Sequence, residues 1–114
     1  MVAVHEVALA TQLAKIVARA ADGRRVLVVR LQVGALRQVV PQTLQFAWRF
    51  VTKDTVLGGA ELQVDWIDLT IRCPAGHESS SGDPFDRICP TCGQTGSTIR
   101  GDEFRVIDID VDSP

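Results

Sequence analysis

Residues 73–92 read CPAGHESSSGDPFDRICPTC, and this stretch decides how the rest of the chain is organised. Its second half, Cys89-Pro90-Thr91-Cys92 followed by Gly93, has the Cys-x2-Cys spacing of a zinc knuckle. In such a knuckle a tight turn brings two thiolates onto one ion, and the glycine lets the backbone bend sharply beside them. The first half holds one cysteine, Cys73, with Gly76 where a second would sit and His77 as the next residue able to bind zinc. The candidate set is therefore Cys73, His77, Cys89 and Cys92, a Cys3His shell of the kind that holds structural zinc. All three cysteines of the chain fall within this window, which scattered placement would not give. Three other readings stand beside it: a disulfide, a redox pair, or two thiols with a solvated His77. A thioredoxin-like pair belongs beside a βαβ pattern, and here the surroundings are Ser79, Ser80, Ser81, Gly82, Asp83 and Pro84.

Between Arg72 and Ile88 the bulky apolar side chains are Phe85 and Ile88 alone. A metal offsets so small a core, since structural zinc contributes an apparent ~10–16 kcal/mol to folding. Residues 72–99 are accordingly expected to form a zinc-binding module inserted between two strands. Immediately before it, residues 61–71 read as a strand whose apolar set shifts from Leu62, Val64, Trp66 to Ile67, Leu69, Ile71, which predicts a bulge near Trp66. After it, Gly101 precedes a last strand with Arg105, Ile107, Ile109 and Val111 on one side and Phe104, Val106, Asp108 and Asp110 on the other.

Nearer the start, Leu9, Leu13, Ile16, Val17 and Ala20 recur at helical steps between Glu6 and Ala21, and Asp22-Gly23 ends that helix. Leu27, Val29, Leu31 and Val33 then alternate as one side of a strand ending at Gly34. Pro41 opens a second helix with an inward stripe of Leu44, Ala47, Trp48 and Val51. Phe46 and Phe50 lie on another side, so either the helix is buried more widely, the reading preferred here, or that side meets a partner. The expected fold is α/β (α+β): two helices on a three-stranded sheet with an inserted zinc-ribbon-like module. Residues 1–71 and 100–114 would form the discontinuous main domain.

The 114 residues are 46% hydrophobic and 23% charged, as in a globular protein with one modest core. A net charge of −2 argues against the clustered cations of a nucleic-acid binder. There is no apolar run of eighteen residues, and His5 and Glu6 stand where a signal peptide needs a basic start and an apolar block. No membrane is expected, and the thiols place the protein in the cytoplasm, where they stay reduced.

Several stretches in order carry a resemblance. They are His5-Glu6-Val7-Ala8-Leu9-Ala10, Val33-Gly34-Ala35-Leu36, Pro41 with Leu44-Gln45-Phe46, Gly59-Ala60-Glu61-Leu62, the cysteine knuckles, and Gly101-Asp102-Glu103-Phe104. With this order and spacing the chain resembles the HypA/HybF family of nickel metallochaperones, which help mature [NiFe] hydrogenases. The resemblance implies nickel(II) at His5 and Glu6, structural zinc(II) in the cysteine module, and handover to a [NiFe] hydrogenase large subunit with a GTPase partner of the HypB kind. Nickel(II) favours nitrogen ligands and accepts an imidazole, backbone amides and a terminal amine, which suits a histidine near a chain end. Without the resemblance, His5 is a polar residue near a helix start and Glu6 a first-turn acid favoured by the helix dipole.

The chain departs from the family twice. Its first knuckle has Pro74-Ala75-Gly76-His77 where the family usually has a second cysteine, which predicts weaker zinc binding. Its start has Val4-His5-Glu6 behind Met1-Val2-Ala3 where the family has Met-His-Glu. A GTG codon read as valine also serves as a bacterial start, so the working product is expected to begin at position 4. The alternative function is a zinc-ribbon interaction module without nickel delivery. An enzyme is not expected: a catalytic zinc needs an open position and a positioned acid or base, and the one histidine besides His5 is His77.

Overall fold

The structure, a computed structural model, describes residues 4–83 and 85–112. Met1 to Ala3, on which the question of the translation start turns, and Pro84 lie outside them. The chain begins with helix α1 (Val4–Ala21), followed by strand β1 (Val26–Gly34), a 3-10 turn (Ala35–Arg37) and helix α2 (Pro41–Thr52). Strands β2 (Glu61–Ile67), β3 (Leu69–Arg72), β4 (Glu78–Ser81), β5 (Ser97–Arg100) and β6 (Phe104–Val111) complete it. The strands form two three-stranded sheets, in the orders β2-β1-β6 and β4-β3-β5. Two compact units result: residues 1–31, 39–64 and 106–114, and residues 32–38 and 65–105.

The first unit contains the helices. The buried line of α1 is Glu6, Ala10, Leu13, Val17 and Ala21, whereas Ile16 is 57% exposed and Ala20 faces solvent. The expected line through Leu9, Ile16 and Ala20 is thus displaced by about one residue around the helix. Periodicity could not separate the two lines because they share Leu13 and Val17. Packing separates them, since α1 lies against α2 and the line that finds cover is the one that includes Ala10 and Ala21. In β1, Val29, Leu31 and Val33 are buried as the alternation requires, but Val26 rather than Leu27 continues the set.

Pro41 opens α2, where its missing N–H costs nothing. Leu44, Ala47 and Trp48 are buried, and two side chains fasten the helix to the chain entering β2: Trp48 Nε1 donates to the Ala60 carbonyl (3.0 Å) and Gln45 Nε2 to that of Leu62 (2.9 Å). Phe46 and Phe50 are 53% and 67% exposed, so the wider burial expected for them is not found. The buried arc of α2 is narrow, and both rings lie outside it.

The edge strand β6 runs antiparallel to β1. The Asp112 N–H donates to the Arg25 carbonyl (2.8 Å), while Arg30 reaches back to Asp108 Oδ1 (2.7 Å) and Asp110 Oδ2 (2.9 Å). The Arg30 guanidinium holds Asp110 below the usual carboxylate range, and the two carboxylates raise the arginine in turn.

The second unit is wider than residues 72–99. Its sheet pairs β3 antiparallel with β4, Arg72 opposite Glu78 and Leu69 opposite Ser81, and with β5 on the other side. The strand expected over 61–71 is two strands interrupted at Asp68 and belonging to different sheets. The one-residue shift in its apolar set accompanies that change of sheet, and the pairing of β3 with β5 shifts register between Thr70 and Ile71. Strands β4 and β5 carry Ser79-Ser80-Ser81 and Ser97-Thr98 and show no apolar alternation, which is why the pattern did not reveal them.

Candidate metal centre

The first knuckle is the turn that joins β3 to β4. Cys73 N–H donates to the His77 carbonyl (2.9 Å), and Gly76 N–H to that of Cys73 (2.9 Å). This closes the turn with Gly76 in the left-handed region at φ 92°. The loop folds His77 back over Cys73, so that the His77 N–H points at Cys73 Sγ (3.2 Å) and Nδ1 lies 3.3 Å from the same sulfur.

The second knuckle is built in the same way. Cys89 N–H donates to the Gln94 carbonyl (2.8 Å), Gly93 N–H to that of Cys89 (2.8 Å), and Gly93 takes φ 74°. A bridge between Ile88 and Thr95 and a bond from Gly96 N–H to the Arg87 carbonyl (2.7 Å) clamp the base of the loop.

The two turns meet. The ligand atoms of Cys73, His77, Cys89 and Cys92 all lie within 4.8 Å of one another, and His77 Nδ1 is 3.8 Å from Cys89 Sγ. Two donors on one tetrahedral zinc, with bonds of about 2.0–2.3 Å, sit about 3.3–3.8 Å apart. The spacing of these donors therefore fits a single ion. Cys73 and Cys89 are buried, His77 and Cys92 exposed, and all three cysteines are free. This is the one group of three or more histidine, cysteine or acidic ligands brought together among the described residues.

Backbone donors the sequence did not single out tune the sulfurs. The amide of Cys92 and, less strongly, that of Thr91 pull the Cys89 thiol down to about 6, against the opposing effect of burial. For Cys92 the Gln94 amide acts downward, but burial and the neighbouring Cys89 and Cys73 prevail and hold its thiol above the ordinary value. The two sulfurs of this knuckle are thus pushed in opposite directions, Cys89 toward its thiolate and Cys92 away from it. The signal for this was present in Cys-Pro-Thr-Cys-Gly, because that turn is what presents its amides to the first sulfur.

His5 and Glu6 sit in the first turn of α1, in the other unit. Successive residues on a helix point about 100° apart, and here the imidazole is exposed while Glu6 is 5% exposed. Its Oε2 has no hydrogen-bond partner among the described residues. A buried carboxylate oxygen without a donor is costly, and native structures rarely leave one so.

Comparison with known proteins gives a consistent result. A family model described as hydrogenase/urease nickel incorporation, metallochaperone, HypA matches residues 4–111. The hydrogenase maturation factor HypA of Geobacter metallireducens is 36% identical over 110 residues, covering 95% of this chain and 99% of the relative. That of Streptomyces avermitilis is 34% identical over 111 residues, with 92% and 85% covered. The solution structure of the Ni metallochaperone HypA from Helicobacter pylori shares the fold, with a TM-score of 0.65 over 93% of this chain and 96% of that one, at 14% identity. No helix among the described residues is long and apolar enough to cross a membrane. Two helices with two small sheets, a Cys3His cluster made by paired knuckles, and a match running from Val4 to Val111 show that the chain belongs to the HypA family.

Proposed function

We propose that the protein is a nickel metallochaperone that takes Ni(II) at His5 and Glu6 and delivers it for [NiFe] hydrogenase maturation, performing no catalysis itself. The observation that carries this reading is the inward carboxylate of Glu6, whose Oε2 has no donor among the described residues, beside an imidazole open to solvent at the start of α1. An exposed nitrogen ligand captures nickel, and a neighbouring buried carboxylate supplies negative charge that water does not screen. The name of the Helicobacter relative and the family description agree with that cargo. The resemblance supplies the partners: a GTPase of the HypB kind and the hydrogenase large subunit.

Zinc is the resident ion in this reading, held by Cys73, His77, Cys89 and Cys92. It would tie the two knuckles together as a closed structural shell with no catalytic position. Nickel exchange at the helix start then leaves the folded module intact, because nitrogen and oxygen donors release an ion more readily than a thiolate shell does.

Titration of purified protein with nickel while zinc content is followed tests the assignment. One nickel per chain is expected, abolished in His5→Ala with one zinc per chain retained. Nickel binding untouched in His5→Ala would remove the site. No stoichiometric nickel on the wild-type chain would leave the zinc-ribbon interaction module. The form beginning at position 4 places its amine one residue from His5 and is expected to bind nickel more tightly than the 114-residue form.

A further inference from the structure

Charge is divided unevenly between the helices and the rest of the chain. The protein carries 14 acids against 12 lysines and arginines, yet Glu6 is the single acid in α1 or α2, and it is buried. Lys15, Arg19 and Arg49 are exposed on the same two helices. On α2 the exposed residues Gln42, Phe46, Arg49 and Phe50 recur at steps of four, three and one, and Lys53 follows three residues on, so they share one face. Phe46 and Phe50, 53% and 67% exposed, form its apolar middle, and the Arg49 guanidinium lies 6.0 Å from the centre of the Phe46 ring. Among the described residues neither Arg49 nor Lys53 is in an ion pair.

We propose that this face of α2 docks an amphipathic helix of another protein, with an apolar i, i+3, i+4, i+7 stripe flanked by aspartate or glutamate. The aromatic pair supplies anchors of the kind that dominate interfaces, and the two cations set the charge of what borders the partner's stripe. A second copy of the chain fits poorly, because a two-fold pairing of α2 with α2 brings the Arg49 side chains together and neither helix offers a carboxylate. A membrane surface also fits poorly. The opposite arc of α2, with Leu44, Ala47 and Trp48, is committed to the core, which leaves a stripe one helix wide rather than the broad apolar face that lies in a lipid interface. The inference does not depend on which metal the protein carries.

Two fluorescein-labelled synthetic helices with the same leucine stripe, one flanked by glutamate and one by lysine, serve as probes in anisotropy titrations against the zinc-loaded full chain. The glutamate peptide is expected to bind at least about tenfold more tightly than the lysine peptide. Phe46→Ser/Phe50→Ser should weaken it by at least about tenfold while the fluorescence of buried Trp48 stays native. Arg49→Glu/Lys53→Glu should invert the preference, which mere loss of structure cannot do. Equal binding of the two peptides, or a preference unmoved by the charge reversal, would overturn the proposal. So would a wild-type dimer in sedimentation that Phe46→Ser/Phe50→Ser dissolves, since the occupant would then be a second copy. Binding to phosphatidylserine vesicles with neither peptide bound would overturn it in favour of a lipid surface.

Discussion

Glu6 shows how much one side chain can say about function. An acid in the first turn of a helix is ordinarily a solvated charge favoured by the helix dipole. At 5% exposure, with an oxygen that has no donor among the described residues, it is instead a polar group kept at a cost. If that cost serves nickel, removing the carboxyl group should improve the fold and damage the site. Glu6→Met, an apolar side chain of similar length, is expected to raise the unfolding free energy of the metal-free protein by ~1–3 kcal/mol in urea titrations. The same change should weaken nickel binding by calorimetry. A variant that loses stability would show that Glu6 is satisfied within the fold and belongs to its structure.

Between elements, two glycines fix how closely the backbone segments approach. The motifs around Gly34 and Gly101, separate in sequence, meet in the structure. The Gly34 N–H donates to the Glu103 carbonyl (2.7 Å) and the Leu36 N–H to that of Gly101 (2.8 Å), while a Cβ on Gly34 would fall on the Gly101 carbonyl oxygen. Gly101 takes φ 115° and passes so close to Leu69 that a Cβ there would lie 2.8 Å from its Cα. Backbone on both sides leaves no flexible side chain to yield, so Gly34→Ala is expected to cost about 3 kcal/mol or more, read as a lowered denaturation midpoint.

The second knuckle makes a pH-dependent prediction for chelated protein. With Cys89 pulled from 9.0 to about 6, the folded chain binds fewer protons than the unfolded chain between those values. Stability should therefore climb as pH rises from 6 to 9 and be lost as pH falls through 6. The raised Cys92 adds its opposing effect only above that window. A midpoint that is flat from pH 6 to 9, or one equally steep in Cys89→Ala, would contradict this origin.

For the whole molecule, the division into two compact units predicts how metal removal propagates. The unit of residues 32–38 and 65–105 holds all four ligands of the cluster, whereas α1, α2 and their buried Leu13, Val17, Leu44 and Trp48 belong to the other. Chelation is expected to abolish amide protection across β3, β4, β5 and both knuckles while α1 and α2 keep theirs, as measured by hydrogen exchange. Simultaneous loss of protection everywhere would make the chain one cooperative unit with the metal at its centre.

What the sequence determined by itself was chemistry and local form. The Cys-x2-Cys-Gly spacing and His77 announced a metal cluster, because chelation by a short turn is a property of neighbours in the chain. Pro41 and the Leu44-Ala47-Trp48 steps announced α2, because helix entry and amphipathic period are local as well. The resemblance of the ordered motifs pointed to the HypA family, and the match over residues 4–111 shows it. Tertiary structure decided what depends on distant partners. It turned one expected strand into β2 and β3, because each half pairs in a different sheet. It added β4 and β5, whose serine-rich segments are strands through pairing with β3 and not through any apolar pattern. It chose between two overlapping faces of α1, and it left Phe46 and Phe50 outside the core. It also turned Glu6 inward, since periodicity shows which residues share a side but not which side finds cover.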